Sequence, residues 1–303
     1  MDPRPGRSRT RFDPRYYQIA VLAGLLVYGL ARLDFEIGAA QIAVTLATCL
    51  LTQWACTRWW RLPAFDPRSA LISGLSLCLL LRTNHLALAA LAAGVTIASK
   101  FVVRWDGKHV FNPTNFGVVA MIALGGGVWV SPGQWGNVAF FGFLMACLGG
   151  LVVNRASRSD VTYAFIASYL AIVFGYAQWL GQPLATPIHR LENGALLLFT
   201  FFMISDPRTT PDTRAGRILF AFLVAVGAAF VQFGLHRTNG LLWSLAALSP
   251  AVPLVNRLMP GTQYAWNRDA SSGPTGPGGE HETHARDAAA AGARLRALAH
   301  GRS

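Results

Sequence analysis

The residues best suited to chemistry lie in short polar turns beside apolar segments. Asn112, Thr114 and Asn115 stand together in the stretch FNPTNFG, where amide groups can both donate and accept hydrogen bonds. Gly117 follows and lets another backbone or a flat ligand come close. We predict these four residues as a cofactor-binding turn. The alternative is that the turn only begins a helix.

A second polar turn, SDPRTTP, holds the carboxylate Asp206 directly after another apolar segment. Pro207 disfavours helical geometry at Asp206, so the segment should end there. A carboxylate at such a break can bind a cation or cap the next helix, and both interpretations stay open. For Asp212, which precedes the next segment together with Thr213, capping is the favoured interpretation.

Two further polar positions complete a predicted ion or substrate pathway. Asn239 lies in a Thr-Asn-Gly turn that matches the Asn112 turn, and the two turns are expected to meet near the middle of the molecule. Arg82 ends a short apolar segment, where it could meet an anion or a carbonyl-rich break in a neighbouring helix. The predicted pathway residues are Arg82, Asp206, Thr209 and Asn239. The sequence assigns no catalytic residue.

The composition is that of an all-α integral membrane protein. Hydrophobic residues make up 53% of the 303 positions and charged residues only 13%. Ten apolar segments can be drawn, at 17–33, 38–57, 69–81, 85–101, 116–130, 138–153, 161–180, 193–205, 216–235 and 240–257. The third and eighth have 13 residues each, fewer than the roughly 20 that a straight span needs, which predicts broken helices.

The basic residues predict the topology. If all ten segments cross, 22 Lys and Arg residues fall on one side and four on the other, which places both termini in the cytoplasm. Five crossings in each half then make the second half an inverted repeat of the first. The predicted organisation is a basic N-terminus at 1–16, membrane repeats at 17–137 and 138–257, and a cytoplasmic, largely disordered tail at 258–303.

Several other classes of site are disfavoured by the sequence. The net charge of +12 follows the side of the membrane, so a lipid bilayer is the expected partner and nucleic acid is not. The four cysteines are scattered in apolar segments without CxxC spacing, and His281 and His284 lie in a solvated tail, so we predict no metal site. The apolar run after the basic N-terminus is as long as a span, which argues against a cleaved signal peptide.

These motifs resemble a known family, the flavin-bearing membrane proteins NqrB and RnfD, which belong to the sodium-pumping NADH:quinone oxidoreductase and to the Rnf electron-transport complex. The resemblance runs from ALISGLSLCLLL through Lys100, FNPTNFG and IHRLENGALLLFTFFMISDPRTTPDTRAGR to VPLVNR, at 69–257. It implies ten helices in two inverted repeats, in a bacterial inner membrane. It also implies that Asn112, Asn115 and Asp206 hold a flavin or an ion.

One departure from the family bears on the cofactor. The family attaches FMN covalently to a threonine of a Ser/Thr-Gly-Ala-Thr motif between the fifth and sixth segments. Here that loop is only SPGQWGN, at 131–137, and the motif does not occur. We therefore predict no covalent FMN, with noncovalent FMN or riboflavin as the cofactor.

Three functions remain open at this point. The first is a membrane electron-transport subunit, which couples electron transfer to ion movement or relays electrons to other redox subunits. The second is a transporter or channel for a small solute on the same inverted-repeat fold. The third and weakest is a structural anchor for a membrane complex.

Overall fold

The computed structural model describes residues 13–131, 133, 136–153 and 159–262, and this part of the chain is predominantly helical. The first half contains helices α1 (Pro14–Arg32), α2 (Ala39–Trp59), α3 (Pro67–Leu80), α4 (Leu86–Val102) and α5 (Pro113–Leu124). The second half contains α6 (Asn137–Val153), α7 (Ser159–Trp179), α8 (Ala185–Leu191), α9 (Gly194–Leu198), α10 (Arg214–Ala229), α11 (Gly240–Leu248) and α12 (Val252–Leu258). The tail histidines His281 and His284 lie outside the described residues.

Polar side chains fix where several of these helices begin. Asp13, Asp66, Asn112, Asn193 and Thr213 precede α1, α3, α5, α9 and α10, and the side chain of each accepts a hydrogen bond from a backbone N–H in the first turn. Such caps satisfy donors that have no partner inside the helix. The Asn112 turn predicted from the sequence is therefore a helix start in the structure.

Four helices among the described residues are long and apolar enough to cross a membrane: Ala39–Trp59, Ser159–Trp179, Arg214–Gly234 and Gly240–Leu258. The last two include short π-helical or 3-10 turns. They match the second, seventh, ninth and tenth predicted segments within three residues at either end. This confirms a helical membrane protein.

The third predicted segment is short, as expected. α3 ends at Leu80, and the chain continues as an extended strand, β1 (Leu81–Thr83). β1 pairs antiparallel with β4 (Val128–Val130), with Arg82 opposite Trp129. A second pair, β2 (Arg104–Trp105) and β3 (Lys108–His109), forms a hairpin between α4 and α5.

The fifth segment differs from the prediction. A helix was expected up to residue 130, but α5 ends at Leu124 and a strand follows. The reason is the run Gly125–Gly127, in which all three glycines have positive φ, a conformation that other residues rarely adopt. The apolar residues after this run form β4 and pair with β1.

The eighth predicted segment is also interrupted. α9 has only five residues and passes into a π-helical turn, Phe199–Met203. The preceding α8 was not predicted as a separate helix. π-Helical turns widen the backbone and leave carbonyl groups without regular partners, and they are often found at functional sites.

The helices pack in two similar sets. α2 packs on α3 and α4, and α7 packs on α10. α4 packs on α5, as α10 packs on α11, and α5 also packs on α11. Large apolar side chains such as Trp59, Leu124, Trp179 and Leu258 are more than 70% exposed at the periphery, as expected for surfaces that face lipid.

Candidate functional site

The centre of the candidate site is a hydrogen bond between the two predicted turns. Asn112 Nδ2 donates to Asp206 Oδ2 at 3.2 Å. The same nitrogen lies 3.5 Å from the carbonyl oxygen of Phe202, in the π-helical turn after α9. The Asn112 Oδ1 accepts from the backbone N–H of Asn115 and caps α5. Asn112 therefore both begins a helix and holds the carboxylate that follows the interrupted segment.

Asp206 lies within a tight turn of its own. Its Oδ1 accepts from the backbone N–H of Arg208 at 3.0 Å. Its carbonyl oxygen accepts from the N–H of Thr209 at 3.2 Å and from the Thr210 hydroxyl at 3.1 Å. Burial raises the pKa of the Asp206 carboxyl, and the Arg208 and Asn112 contacts partly oppose this. A carboxylate destabilised by burial gains from a bound cation or proton.

The Asp206 contacts bear on the two interpretations of this residue. Asp206 does not cap a helix in the structure, since its side chain closes a turn and bonds Asn112. The cap of α10 is Thr213, whose hydroxyl accepts from Gly216 N at 3.1 Å. Asp212, for which capping was favoured, instead pairs with Lys108 Nζ at 2.7 Å. That expectation for Asp212 is therefore corrected.

Asn115 connects the site to the second half of the chain. It is completely buried, and its Nδ2 donates to the Leu242 carbonyl oxygen in the first turn of α11 at 3.2 Å. Its Oδ1 has no hydrogen-bond partner within the described part of the protein. Buried amide oxygens are rarely left without a donor, so this atom is suited to accept from a ligand or water, or to coordinate a cation.

The remaining residues of the Asn112 turn, Thr114 and Gly117, lie in the packed first turns of α5, and their predicted role in cofactor binding stays a prediction. Thr114 is buried in the first turn of α5. A Cβ added at Gly117 would lie 1.8 Å from Thr96 Oγ1, because α4 crosses there. Of the two roles expected for Gly117, close approach of another backbone is the one the structure displays.

The other predicted pathway residues occupy different places. Thr209 is buried beside Asp206. Arg82 is only 2% exposed, and its Nη1 donates to the Cys78 carbonyl oxygen at 2.7 Å, with the guanidinium over the Phe35 ring. Asn239 precedes α11 with a φ of 61°, a left-handed conformation that Asn tolerates. No described contact joins Arg82 or Asn239 to Asp206.

Two basic residues close to the site, Lys100 and His109, were not predicted as site residues. Lys100 on α4 is 4% exposed, and its Nζ donates to the carbonyl and hydroxyl oxygens of Ser69 on α3. Burial, together with the neighbouring cations Arg208, Lys100 and Arg104, lowers the pKa of His109 to about 3. His109 is therefore neutral, and its Nδ1 lacks a partner in the described residues. The available signals were the position of His109 two residues before FNPTNFG and that of Lys100 near the end of the fourth apolar segment.

Ion pairs hold the elements around the site in place. Lys108, in the β2–β3 hairpin, reaches both Asp212 and the Thr210 carbonyl oxygen, which joins the two halves of the chain. Arg217 on α10 pairs with Asp160 at the start of α7. Both pairs are largely shielded from solvent, so removing one partner would leave a costly unpaired charge.

Comparison with known proteins agrees with the resemblance seen in the sequence. The model of the NQR2, RnfD, RnfE family matches residues 124–265. This range includes Asp206, Thr209 and Asn239, whereas Arg82 and the Asn112 turn precede it.

Individual relatives are named as the D subunit of an ion-translocating oxidoreductase complex. The protein from Erwinia tasmaniensis is 34% identical over 148 residues, which cover 48% of this chain and 37% of the relative. The one from Alcanivorax borkumensis is 33% identical over 127 residues, 41% of this chain and 35% of the relative. The one from Klebsiella pneumoniae is 29% identical over 144 residues, 46% of this chain and 39% of the relative. The aligned part of the chain thus spans less than two fifths of these relatives.

Proposed function

This chain belongs to the NQR2, RnfD, RnfE family, and from that premise we propose that it is a membrane subunit of an electron-transport complex that couples electron transfer to ion movement. The observation that carries the proposal is the Asn112–Asp206 hydrogen bond. It places a partly desolvated carboxylate between a helix start and an interrupted helix, which is the arrangement used for ions inside membranes. The proposed partners are the other redox subunits of such a complex.

The proposed architecture is two inverted five-helix repeats in a bacterial inner membrane, with both termini cytoplasmic. The equal spacing of the N-cap residues supports it. Asp66 and Asn112, which precede α3 and α5, are 46 positions apart. Asn193 and Asn239, which precede α9 and α11, are also 46 positions apart. Packing supports it as well, since α2 contacts α4 as α7 contacts α10. Asn115 and Leu242, each the third residue of its helix, meet where the two repeats would join.

The proposed role of Asp206 is to bind the coupling cation at the cytoplasmic side. Its carboxylate accepts only one hydrogen bond at each oxygen among the described contacts, from Asn112 and from Arg208 N. Each carboxylate oxygen has a further lone pair, so a cation can be added without breaking either bond. Asn115 Oδ1 is a second candidate oxygen ligand, deeper between α5 and α11.

A noncovalent flavin, FMN or riboflavin, is the proposed cofactor of this protein. Family membership supports it, and the short loop at 131–137 argues against covalent attachment in the family's usual place. The amide groups of Asn112 and Asn115 could hold its ring edge or phosphate.

Purification from native membranes in mild detergent tests the proposal. The expected result is a visible isoalloxazine absorption band and the co-purification of redox subunits. The decisive control is Asp206→Asn, which should retain the subunits but lose cation-dependent electron transfer. A colourless protein that purifies alone would contradict the proposal.

A transporter for a small solute is the second candidate function. The observation that favours it is the absence of the Ser/Thr-Gly-Ala-Thr motif from a chain that keeps both polar turns. In that case solute uptake into vesicles should occur without any electron donor, and it should still depend on Asp206.

A further inference from the structure

The buried face of α2 is polar along nearly its whole length. The buried residues of this helix, spaced four apart, are Gln41, Thr45, Cys49, Gln53 and Thr57, and each is at most 8% exposed. The sixteen residue-to-residue steps from Gln41 to Thr57 extend about 24 Å, most of the roughly 30 Å hydrocarbon layer. Polar groups inside a membrane are costly unless they are paired or hydrated.

α7 occupies the matching place in the second half and provides an internal comparison. It also has 21 residues, and its buried residues at the same five positions are Val161, Phe165, Tyr169, Val173 and Ala177. Val173 thus stands where α2 has Gln53. Four of these five side chains are wholly apolar, and the hydroxyl of the fifth, Tyr169, donates to Gln232 Oε1, so packing alone does not require the polar residues of α2.

α3 packs on α2 and contributes further buried polar residues. Ser73, Ser76 and Cys78 on α3 are buried. A Cβ at Gly74 would lie 3.4 Å from the Cys49 Sγ, so the two helices are in close contact. We call the α2 face and these α3 residues the polar seam.

The polar seam contains an unsatisfied acceptor. Gln53 is 8% exposed, and its Oε1 has no hydrogen-bond partner in the part of the protein that the structure describes. A buried amide oxygen without a donor is costly, and a water molecule would relieve that cost. The seam is therefore suited to hold ordered water.

A basic residue lies at each end of the polar seam. At the start of α3, Lys100 Nζ donates to both oxygens of Ser69. At the opposite end, Arg82 donates to the Cys78 carbonyl oxygen. The titratable groups within electrostatic reach of Lys100 are Cys49, Asp206, Arg208 and Asp66. The positive charges of Arg82 and Lys100 disfavour metal cations in the seam, whereas the Lys100 ammonium can exchange a proton.

We propose that the polar seam is a hydrated proton route through the first half of the chain, with Lys100 as the proton-exchanging group at its cytoplasmic end. An N–H bond of the Lys100 ammonium breaks as its proton passes to a cytoplasmic water. The neutral amine then takes a proton from the water chain in the seam, which restores the ammonium. The inference rests on the proposed function, because ion movement through this protein is part of it.

Proton flux into vesicles tests the route without partner subunits. The purified full chain is reconstituted with pyranine inside, and a potassium gradient with valinomycin drives protons inward. Wild-type vesicles should acidify faster than empty ones. Gln53→Leu should reduce the rate to that of empty vesicles, because it removes the amide. Val173→Leu, the matched position in α7, should leave the rate unchanged.

A second variant covers the possibility that Gln53→Leu does not fold. Thr45→Val is nearly isosteric and removes only a hydroxyl, and it should also abolish the flux. Each variant is checked for a single gel-filtration peak. The proposal is overturned if wild-type vesicles acidify no faster than empty ones, if folded Gln53→Leu or Thr45→Val conducts like wild type, or if sodium passes as readily as protons.

The outcomes separate this inference from the proposed function. Co-purification with redox subunits but no proton flux would refute the route alone. Proton flux through a colourless protein that has no redox partners would refute the proposed function alone.

Discussion

Asn115 and Leu242 occupy the same place in two different helices and are bonded to each other. Each is the third residue of its helix, α5 or α11, and Asn115 Nδ2 lies 3.2 Å from the Leu242 carbonyl oxygen. Such a contact between equivalent positions would lie on the axis that relates the two proposed repeats. The relationship links the two polar turns predicted from the sequence, because Asn112 and Asn239 precede these same helices.

Asp206→Asn should abolish cation-dependent activity and leave the fold intact. The amide keeps the shape and most hydrogen bonding but removes the charge, and burial already disfavours that charge. The measurement is electron transfer against sodium concentration, with the thermal midpoint in detergent as the folding check. Asp212→Asn is the control: it breaks the Lys108 pair and should lower the midpoint. Full activity in Asp206→Asn would show that the carboxylate is only structural.

Asn112→Ala should reduce activity more than its effect on stability explains. It removes the cap of α5, worth about 0.5–2 kcal/mol, and also the bond to Asp206. Asn193→Ala is the matched control, because it removes only the cap of α9. Activity and thermal midpoint are measured for both. Equal losses of activity would assign Asn112 to capping alone.

Gly117→Ala should destabilise the packing of α4 on α5. The added methyl would meet Thr96 Oγ1 at 1.8 Å, and overpacking of this kind costs about 1–3 kcal/mol. Thr96→Ala in the same chain should restore much of the thermal midpoint. Gly24→Ala, where nothing lies within 4 Å of the new methyl, should be neutral. A neutral Gly117→Ala would contradict the close crossing of the two helices.

Flavin should not be attached covalently. The loop at 131–137 is short, and the chain has no Ser/Thr-Gly-Ala-Thr motif to accept FMN. Denatured protein on a gel should be dark under ultraviolet light, while the native protein in detergent should show flavin absorbance. A fluorescent band after denaturation would require a different acceptor residue.

Both termini should be cytoplasmic. The 22 to 4 distribution of basic residues favours this orientation over its reverse. Alkaline phosphatase fused after residue 257 should be inactive, and fusion after Arg190, on the predicted outer side, should be active. Activity at residue 257 would invert the topology and move Asp206 to the outer side.

The sequence by itself determined the helical membrane class and most segment positions, because apolar runs and positive charges are local properties that the bilayer selects. It also located Asn112 and Asp206, since Pro113 and Pro207 mark the chain breaks beside them. Tertiary structure decided what these residues touch. The Asn112–Asp206 bond spans 94 positions, and such a pairing depends on packing that no local pattern encodes.

Three features were decided only by the fold. The glycines at 125–127 adopt positive φ and turn an apolar run into β4, which hydropathy cannot distinguish from a helix. Asp212 pairs with Lys108 because the β2–β3 hairpin lies against it, so the cap falls to Thr213. The third feature is the burial of the polar face of α2, whose residues recur every four positions in the sequence. Only packing against α3 and α4 shows that this face is buried rather than exposed.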